Sequence, residues 1–585
     1  MNSSHPRPAH AAEGLASVSV ALLGSGGAGV LTSGQLLLEA ACRAGWNGLL
    51  TRSVGPQIRG GEAAALVRLS GQPVECHGGG FDLLLAIDWQ NAGRFDSEIA
   101  MNPGALVVAD PLGGEAPASM VSPGTRRCEL PCTELCRAHP QWRANMIVLG
   151  AAARLLAIPS DILERVIADR FESKGEATTA ANLAAAQAGA AAVGALALTR
   201  SLPAPSVTSG KRWLITGNEA VGLGAIRGGI RFAAAYPITP ASEILEWLAP
   251  KLARVGGSLV QAEDELASVN MILGASYGGI PSLTATSGPG FSLMVESIGL
   301  AAAAEVPIVV VNVMRAGPST GIPTKSEQAD LNIAVYGLHG DAPHLVIAPQ
   351  SVPDCLLSTQ WAASLAEALQ TPAIVLSDQF LGQAQAAIAR PTEIAFLGKR
   401  LRAEPAGGVY RRYALAANGV SPMAIPGTPG GQYVADGLTH TERGVPTSTA
   451  HDHVAQLEKR RDKLERHEYG QLWATLEGDG ETALLTWGSL TGVAREALRL
   501  AADRGLRACL IAPRLLAPAR PAAMRAALRG VRRAVVVEQS HGAQFHKYLR
   551  AHYDLPPDTQ VLHRPGPLTI RPAEICDALF AGSAT

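Results

Sequence analysis

The chain has 585 residues, of which 47% are hydrophobic and 17% are charged, so it carries enough apolar material for three or four folded domains. A net charge of −1 argues against nucleic acid and against an anionic membrane surface as partners. No apolar run is as long as a membrane-spanning helix, and eight cysteines are too few for a disulfide framework. We therefore expect a cytoplasmic protein.

The first predicted unit spans residues 15–200 and begins with a strand, Val18–Leu23, that leads into the glycine loop Gly24–Gly29. The loop has the spacing G-x-G-x-x-G between a strand and a helix, which is typical of dinucleotide sites. The acidic residue expected at the end of the next strand is absent, and Arg52 in that region would suit a 2′-phosphate. One alternative is therefore an NADP-binding dehydrogenase. We favour a Rossmann-like turn used for packing or for another phosphate-bearing ligand.

A loop rich in Gly and Pro follows Arg52 and contains a second arginine. It could hold an anion such as phosphate, and an ordinary surface loop is the alternative. The candidate ligands for an anion in this unit are Gly24, Gly26, Gly29, Arg52 and Arg59.

Three cysteines in the same unit, Cys128, Cys132 and Cys136, are spaced by four residues and could share one face of a helix. Pro131 lies inside the run, however, and no fourth ligand is near it in the sequence. We predict no metal site in this chain.

Residues 201–212, rich in Pro and Ser, predict a linker to a second unit at 213–395. In that unit strongly apolar segments alternate with helical ones, which predicts a largely parallel α/β sheet. The strand candidates are Leu283–Thr286, Val306–Met314, Leu345–Ala348 and Ala373–Leu376.

The segment Tyr236-Pro237-Ile238-Thr239-Pro240 lies between a small apolar strand and a helical pattern. Its two prolines fix φ on either side of Thr239 and make the turn stiff. Such a turn presents the Thr239 hydroxyl at the edge of an α/β sheet, where open α/β folds bind small molecules. A proline-capped loop without a ligand is the alternative.

Three acidic residues, Glu263, Asp264 and Glu265, open the predicted helix Leu266–Gly278. The structural interpretation is that all three complement the helix dipole in its first turn. The functional interpretation is a carboxylate beside N1′ of the aminopyrimidine ring of thiamine diphosphate, where it promotes loss of the C2 proton.

Two further segments complete the candidate site. Thr284–Gly290 ends one strand and starts a helix with small residues, which allows a cofactor or a neighbouring subunit to approach. Arg315 follows the most apolar strand of the chain and could bind a 2-oxoacid carboxylate through two hydrogen bonds. A structural ion pair is the alternative for Arg315.

The remaining sequence predicts a connecting arm at 396–470, with the charged helix Val454–Arg466, and a third α/β unit at 471–585. Gly478-Asp479-Gly480 resembles the start of the motif that binds Mg²⁺ and the cofactor diphosphate, but no asparagine follows position 480. We therefore interpret Gly478–Gly480 as a turn between a helix and a strand. The chain offers half of a thiamine site, which implies a partner chain.

Together these motifs resemble the α subunit of the 2-oxoacid:ferredoxin oxidoreductases, in the form with a fused N-terminal γ domain and of the 2-oxoglutarate type. The resemblance covers nearly the whole chain, although Gly437–Glu442 departs from the family pattern Gly-Asn-Glu-His-Asp-Glu. The matching segments are Gly24–Gly29, Gly55-Pro56, Arg59-Gly60-Gly61, Asn145-Met146, Tyr236–Pro240, Glu263–Glu265, Thr284–Gly290, Gly317–Thr324, Glu327–Asp330 and Thr371–Gln379.

The resemblance implies a fold of three α/β parts: a Rossmann-like γ domain, a domain on the pyrimidine side of a thiamine diphosphate site, and a C-terminal domain like that of transketolase. It implies oxidative decarboxylation of a 2-oxoacid, with electrons passed to ferredoxin and the acyl group to coenzyme A. A β subunit is expected to bind the diphosphate, Mg²⁺ and a [4Fe–4S] cluster. Substrates other than 2-oxoglutarate, namely pyruvate and branched-chain or aryl 2-oxoacids, are the alternatives.

The resemblance also implies roles for individual residues. Thr239, Glu265 and Arg315 are expected to be catalytic, with Glu263 as the second candidate for the N1′ carboxylate. The expected cofactor contacts are Tyr236, Pro237, Ile238, Glu263, Thr286, Ser287 and Gly288. The expected substrate contacts are Arg315, Ser319, Thr320 and Thr324. A non-catalytic scaffold subunit with the same fold is a further alternative.

Overall fold

Apolar strands and helices alternate along most of the chain and build three β-sheets in the computed structural model. The structure describes residues 15–55, 61–121, 124–194, 196–205, 212–393, 396, 398–404 and 408–581. Arg59 lies outside the described residues, so its predicted role as an anion ligand is not addressed by the structure.

The first unit is built on an eight-stranded sheet, to which the second unit contributes two strands. Six strands come from the unit itself: β1 Ser17–Ser25, β2 Asn47–Val54, β3 Glu62–Ser70, β4 Phe81–Ala86, β5 Met101–Ala109 and β6 Arg126–Glu129. Its helices are α1 Val30–Arg43, α2 Cys132–Ala138, α3 Ala144–Leu155, α4 Ser160–Phe171 and α5 Glu176–Val193. Cys128 lies on β6, so the three cysteines do not share one helix as their spacing suggested.

The second unit contributes the strands β7 Arg212–Thr216, β8 Phe232–Ala235, β9 Ser258–Gln261, β10 Ser282–Thr286, β11 Val309–Met314, β12 Leu345–Ile347, β13 Ala373–Asp378 and β14 Gln385–Ala389. Its helices are α6 Gly217–Arg227, α7 Ser242–Leu252, α8 Glu265–Tyr277, α9 Gly288–Ala303, α10 Leu331–Tyr336, α11 Val352–Leu369 and α12 Gln379–Gln383. The strands of the second sheet lie in the order β12-β13-β11-β10-β8-β9, and all neighbours in this order pair in parallel, as predicted. The terminal strands β7 and β14 instead extend the sheet of the first unit, whose strand order is β6-β5-β4-β1-β3-β2-β14-β7.

The arm and the third unit contain the helices α13 Ala450–Glu465, α14 Leu490–Asp503, α15 Pro521–Ala527, α16 Gln544–His552 and α17 Pro572–Phe580. Their strands are β15 Ala474–Glu477, β16 Thr482–Leu485, β17 Ala508–Pro513, β18 Leu515–Ala517, β19 Arg533–Glu538 and β20 Asp558–His563. Gly478–Gly480 lies between β15 and β16, so the turn joins two strands and not a helix and a strand as predicted.

Buried polar contacts join the three units. Arg68 of β3 donates two hydrogen bonds of 2.6 Å to Glu496 of α14. Strand β18 of the third unit pairs antiparallel with β12 and becomes the edge of the second sheet. Among the described residues, no helix combines the length and the apolar character needed to cross a bilayer.

Candidate active site

Four neighbouring parallel strands of the second sheet, in the order β11-β10-β8-β9, end beside one another. Thr239 follows β8, Glu265 follows β9, Ser287 follows β10, and Arg315 follows β11. Because parallel strands place their carboxyl ends at one edge, all four residues lie along the same edge of the sheet. The predicted catalytic residues are thus brought together by strand order.

The Tyr236–Pro240 turn is held from two sides. Arg315 Nη1 donates a 2.7 Å hydrogen bond to the Thr239 carbonyl oxygen, which joins the two predicted residues directly. Asn218 Nδ2 donates to the Pro240 carbonyl oxygen at 2.9 Å and to Glu243 Oε2 at 3.1 Å. The Tyr236 side chain is exposed, so it faces outward from this edge.

The three acidic residues before α8 have separate roles. Helix α8 begins at Glu265, and its N-cap is Asp264, which accepts a 2.6 Å hydrogen bond from the Ala267 N–H. Glu265 is only 7% exposed, whereas Glu263 is exposed and precedes the helix. The prediction of three acids in the first helical turn is therefore wrong. Because Glu265 is buried at the positive end of the helix dipole, it is the better candidate for the carboxylate beside N1′.

The start of α9 forms a close-packed cradle around this carboxylate. A Cβ atom added at Gly290 would lie 2.4 Å from Glu265 Oε1 and 2.2 Å from Thr286 Oγ1. A Cβ atom at Gly288 would lie 2.7 Å from Asp330 Oδ2. Only glycine permits this approach, so three oxygen-bearing side chains surround the N-terminus of α9.

The electrostatics around Arg315 leave its charge available. Burial lowers the pKa of its guanidinium, and nearby Asp330 acts in the opposite direction. Burial raises the pKa of Asp330, against a 3.0 Å hydrogen bond from Asn312 and the charge of Arg315. Arg315 makes no ion pair with the described carboxylates, and its buried Nε has no partner among the described groups. An arginine stays protonated in proteins, so this edge presents a buried cation to an anion.

The predicted substrate residues do not all lie together. Ser319 and Thr320 are exposed on the loop that follows Arg315. Thr324 is buried and lines a cavity of ≈ 150 Å³ between the three units. Other residues of this cavity include His77 from the first unit, Lys325 from the second and Arg571 from the third.

Polar groups of the glycine loop in the first unit are hydrogen-bonded by neighbouring side chains of the same unit. Asp88 Oδ2 accepts hydrogen bonds of 2.9 Å from both the N–H and the hydroxyl of Ser25. Gly29 has φ 83°, and its carbonyl oxygen accepts from Asn145. Arg52 forms an ion pair with Glu243 and donates to Gln383 at 3.2 Å. A carboxylate beside the loop and a paired arginine favour packing over phosphate binding there.

The residues present fit the aminopyrimidine half of thiamine diphosphate. Glu265 supplies a buried carboxylate, the Gly288–Gly290 turn supplies a flat approach, and the buried hydroxyls of Thr284 and Ser287 have no partner among the described groups. No group of three His, Cys, Asp or Glu side chains that could hold a metal ion occurs within the described ranges.

Sequence reasoning missed three residues that hold the site, Asn218, Asn312 and Gln328. Asn218 and Asn312 orient Pro240 and Asp330, as described above. Gln328 bonds to the third unit. Its place in the motif Glu327-Gln328-Ala329-Asp330 was the available signal, but the motif does not identify its partners.

Two family models match the chain. Residues 223–459 match "Pyruvate flavodoxin/ferredoxin oxidoreductase, thiamine diP-bdg". Residues 19–192 match "Pyruvate ferredoxin/flavodoxin oxidoreductase". The first match contains all the residues gathered at the sheet edge.

The chain is 34% identical over 491 residues to 2-oxoacid:ferredoxin oxidoreductase 2, subunit alpha, of Aeropyrum pernix, an alignment that covers 80% of this chain and 74% of that relative. It is 38% identical over 329 residues to 2-oxoglutarate synthase subunit KorA of Archaeoglobus fulgidus, covering 56% of this chain and 88% of the relative. A solved 2-oxoglutarate:ferredoxin oxidoreductase from Magnetococcus marinus, with 2-oxoglutarate, coenzyme A and succinyl-CoA bound, superposes with a TM-score of 0.88 at 35% identity. That superposition covers 97% of this chain and 99% of the solved chain.

Proposed function

Because the chain belongs to the family of 2-oxoacid:ferredoxin oxidoreductase α subunits, we propose that, together with a β subunit, it converts 2-oxoglutarate and coenzyme A into succinyl-CoA and CO₂ and passes the two electrons released to ferredoxin. The observation that carries this proposal is the buried Arg315, which is bonded to the Thr239 turn and lies at the same sheet edge as Glu265. The relatives named as 2-oxoglutarate synthases and the ligands of the Magnetococcus marinus enzyme support this choice of 2-oxoacid.

The residues of this chain divide the work as follows. Arg315 binds the C1 carboxylate of the 2-oxoacid and holds it until CO₂ leaves. The Thr239 hydroxyl contacts the substrate from the neighbouring strand end. Glu265 would hold a proton at N1′ of the aminopyrimidine ring when the cofactor is bound, and the absence of a side chain at Gly290 lets the Glu265 carboxylate lie against α9. Thiamine diphosphate, when bound, supplies the electron sink for decarboxylation.

An exposed apolar face next to Glu265 supports a β subunit as the partner. Leu266 and Met271 of α8 and Leu293 of α9 are 42–50% exposed. Gly274 and Gly299 interrupt the same two helices, and a Cβ atom at either would meet no described atom within 4 Å. Helix-interior glycine costs stability unless another backbone packs closely against it. In the proposal the β subunit covers this face and brings the diphosphate site, Mg²⁺ and the [4Fe–4S] cluster, in an αβ or (αβ)₂ assembly.

The cavity between the three units supports a route for coenzyme A along the γ domain. Arg571 lines it together with His77 and Thr324, and Lys325 is ion-paired there with Glu98. Cations are the groups that bind the phosphates of coenzyme A, and Thr324 ends the loop that starts at Arg315. In the proposal the thiol therefore reaches the acyl group from this side.

The proposal is tested with the chain alone and in complex with its β subunit. We expect the complex, and not the isolated chain, to reduce ferredoxin or a viologen dye with 2-oxoglutarate and coenzyme A. Pyruvate and branched-chain and aryl 2-oxoacids, assayed in parallel, decide the substrate. Reduction by the isolated chain would contradict the half-site proposal.

Two rival functions have their own readouts. An NADP-binding dehydrogenase predicts tight binding of NADPH to the isolated chain, whereas the occupied surroundings of the glycine loop predict none. A scaffold subunit predicts that Thr239→Val and Arg315→Met leave the activity of the complex unchanged.

A further inference from the structure

We propose that Gln328 is a positioning residue for the 2-oxoacid. Through Gln328 the third, C-terminal unit fixes the loop that begins at Arg315. This inference rests on the proposed function, because it takes Arg315–Thr324 as the substrate loop. The residues gathered at the sheet edge, Thr239, Glu265, Ser287 and Arg315, all belong to the second unit. The contacts at Gln328 nevertheless place the C-terminal unit in control of the loop.

The substrate loop is closed onto the segment that contains Gln328. The Ala316 N–H donates to the Lys325 carbonyl oxygen at 2.9 Å, and the Ile322 N–H donates back to the Ala316 carbonyl oxygen at 2.9 Å. The Lys325 N–H donates to the Ile322 carbonyl oxygen at 3.1 Å. The base of the loop, directly after Arg315, thus moves with Lys325 and the residues that follow it.

Gln328 ties this segment to the C-terminal unit by three hydrogen bonds. Its N–H donates to the Gln539 carbonyl oxygen at 2.8 Å, and its Oε1 accepts from the Gln539 N–H at 3.0 Å. Its Nε2 donates to the Trp487 carbonyl oxygen at 2.9 Å. Gln328 is 1% exposed, so water cannot replace these partners.

Contacts on either side of Gln328 strengthen the same junction. Gln544 of α16 accepts from the Asn332 N–H at 2.9 Å and donates to the Ala329 carbonyl oxygen at 2.7 Å. A Cβ atom at Gly566 would lie 2.0 Å from the Ser326 carbonyl oxygen, so the two backbones touch.

A shift of this junction reaches the substrate cation by two routes. One route is the loop base at Ala316, next to Arg315. The other is Asp330, two residues after Gln328, whose carboxylate lies against Gly288 and whose charge acts on Arg315. The C-terminal unit therefore sets the position of Arg315 relative to the cradle without touching the substrate.

Another buried glutamine provides a matched control. Gln350 is 2% exposed and also links the second unit to the third, through a 2.6 Å bond to the Ala512 carbonyl oxygen and a 2.5 Å bond from Thr475. It precedes α11, away from the substrate loop. Gln350→Met and Gln328→Met should therefore cost similar stability and differ only in their effect on the loop.

The test compares both variants in the complex with the β subunit. For Gln328→Met we expect kcat/KM for 2-oxoglutarate to fall about 10–100-fold, mainly through KM, because a displacement of about 1 Å has effects of this size. We expect Gln350→Met to stay within about threefold of the wild type, with a similar loss of melting temperature in both variants. Equal kcat/KM values in the two variants would overturn the proposal.

A second measurement is independent of the assigned substrate. Hydrogen–deuterium exchange at the amides of residues 316–325 should rise in Gln328→Met and stay unchanged in Gln350→Met. If the wild-type complex oxidises no 2-oxoacid, the proposed function is wrong. Equal amide exchange in the two variants would overturn the positioning role of Gln328, whatever the substrate is. If Gln328→Met does not fold, Gln544→Ala replaces it, and an unchanged KM together with unchanged exchange would overturn the proposal.

Discussion

Glu265 and Glu263 are two residues apart, yet only Glu265 is buried at the start of α8. We expect Glu265→Gln to slow C2–H exchange of thiamine diphosphate in the complex by about 10²–10⁴-fold, the usual contribution of a positioned proton-transfer group. Exchange is measured by NMR of the quenched cofactor in deuterated buffer. The amide keeps the shape of the carboxylate, so the cradle around Gly290 should be unaffected.

Glu263→Gln is the matched control for this prediction. Its side chain is exposed, so the same change of charge should leave C2–H exchange within about threefold of the wild type. Normal exchange in Glu265→Gln combined with slow exchange in Glu263→Gln would transfer the role to Glu263.

Substitution of Arg315 tests its proposed role in binding the substrate carboxylate. We expect Arg315→Met to weaken transition-state binding by about 2–4 kcal/mol, or roughly 30–1000-fold in kcat/KM, because a buried charged contact is lost. Arg315→Lys keeps a cation without the planar fork and should recover only part of this loss. Steady-state kinetics with 2-oxoglutarate decide, and unchanged kcat/KM in Arg315→Met would remove Arg315 from the site.

The site residues that were predicted from the sequence all follow strands, whereas the residues that were missed depend on partners elsewhere in the chain. Thr239, Glu265 and Arg315 each follow a short apolar strand, so the strand pattern alone places them at the carboxyl edge of a sheet. Gln328 acts through Gln539, 211 residues away, and Asn218 through a turn 22 residues later. Local periodicity holds no information on such pairings, so their roles required the fold.

At the scale of elements, the connecting arm is anchored by one buried carboxylate. Glu305, just after α9, accepts from Lys459 at 2.7 Å and from Lys463 at 2.9 Å, both on α13. All three side chains are at most 2% exposed. We expect Glu305→Gln to lower the free energy of unfolding by about 3–5 kcal/mol, because two cations would lose their buried partner. Urea denaturation measures this loss.

Asp462 provides the surface comparison on the same helix. It pairs with Arg461 and Arg466, whose side chains are more than half exposed. Asp462→Asn should therefore change the free energy of unfolding by less than about 1 kcal/mol. Equal losses in Asp462→Asn and Glu305→Gln would show that the arm does not depend on the buried carboxylate.

The same anchor predicts a pH dependence. Burial alone would raise the pKa of Glu305, but Lys463, Lys459 and Arg412 together lower it well below its usual 4.5. A depressed pKa in the folded state stabilises the protein above the unfolded pKa, and this contribution is lost as the pH falls below it. The stability difference between wild type and Glu305→Gln should shrink from about pH 6 to about pH 3. A constant difference over that range would contradict the prediction.

At the scale of the whole molecule, the sequence predicted three α/β units but not how their sheets are shared. Strand β14 was not among the predicted strands, and nothing local in the sequence shows that it pairs with β2 of the first unit, more than 300 residues earlier. The same holds for β18 on β12. Such pairings are decided by which sheet edge is left open after folding, and that is a property of the assembled chain.

The proposed assembly with a β subunit buries the exposed apolar face of α8 and α9. Gly274→Leu adds a side chain to this face at a position where a Cβ atom meets no described atom within 4 Å. Leucine is also a better helix former than glycine by roughly 0.8–1 kcal/mol, so the isolated chain should become slightly more stable. If the β subunit packs closely there, its affinity should nevertheless fall at least about tenfold, or 1.4 kcal/mol.

Ala502→Leu, at an exposed position of α14, should leave the affinity unchanged. Titration of the β subunit followed by calorimetry measures both variants, and undiminished affinity in Gly274→Leu would place the partner elsewhere on the molecule.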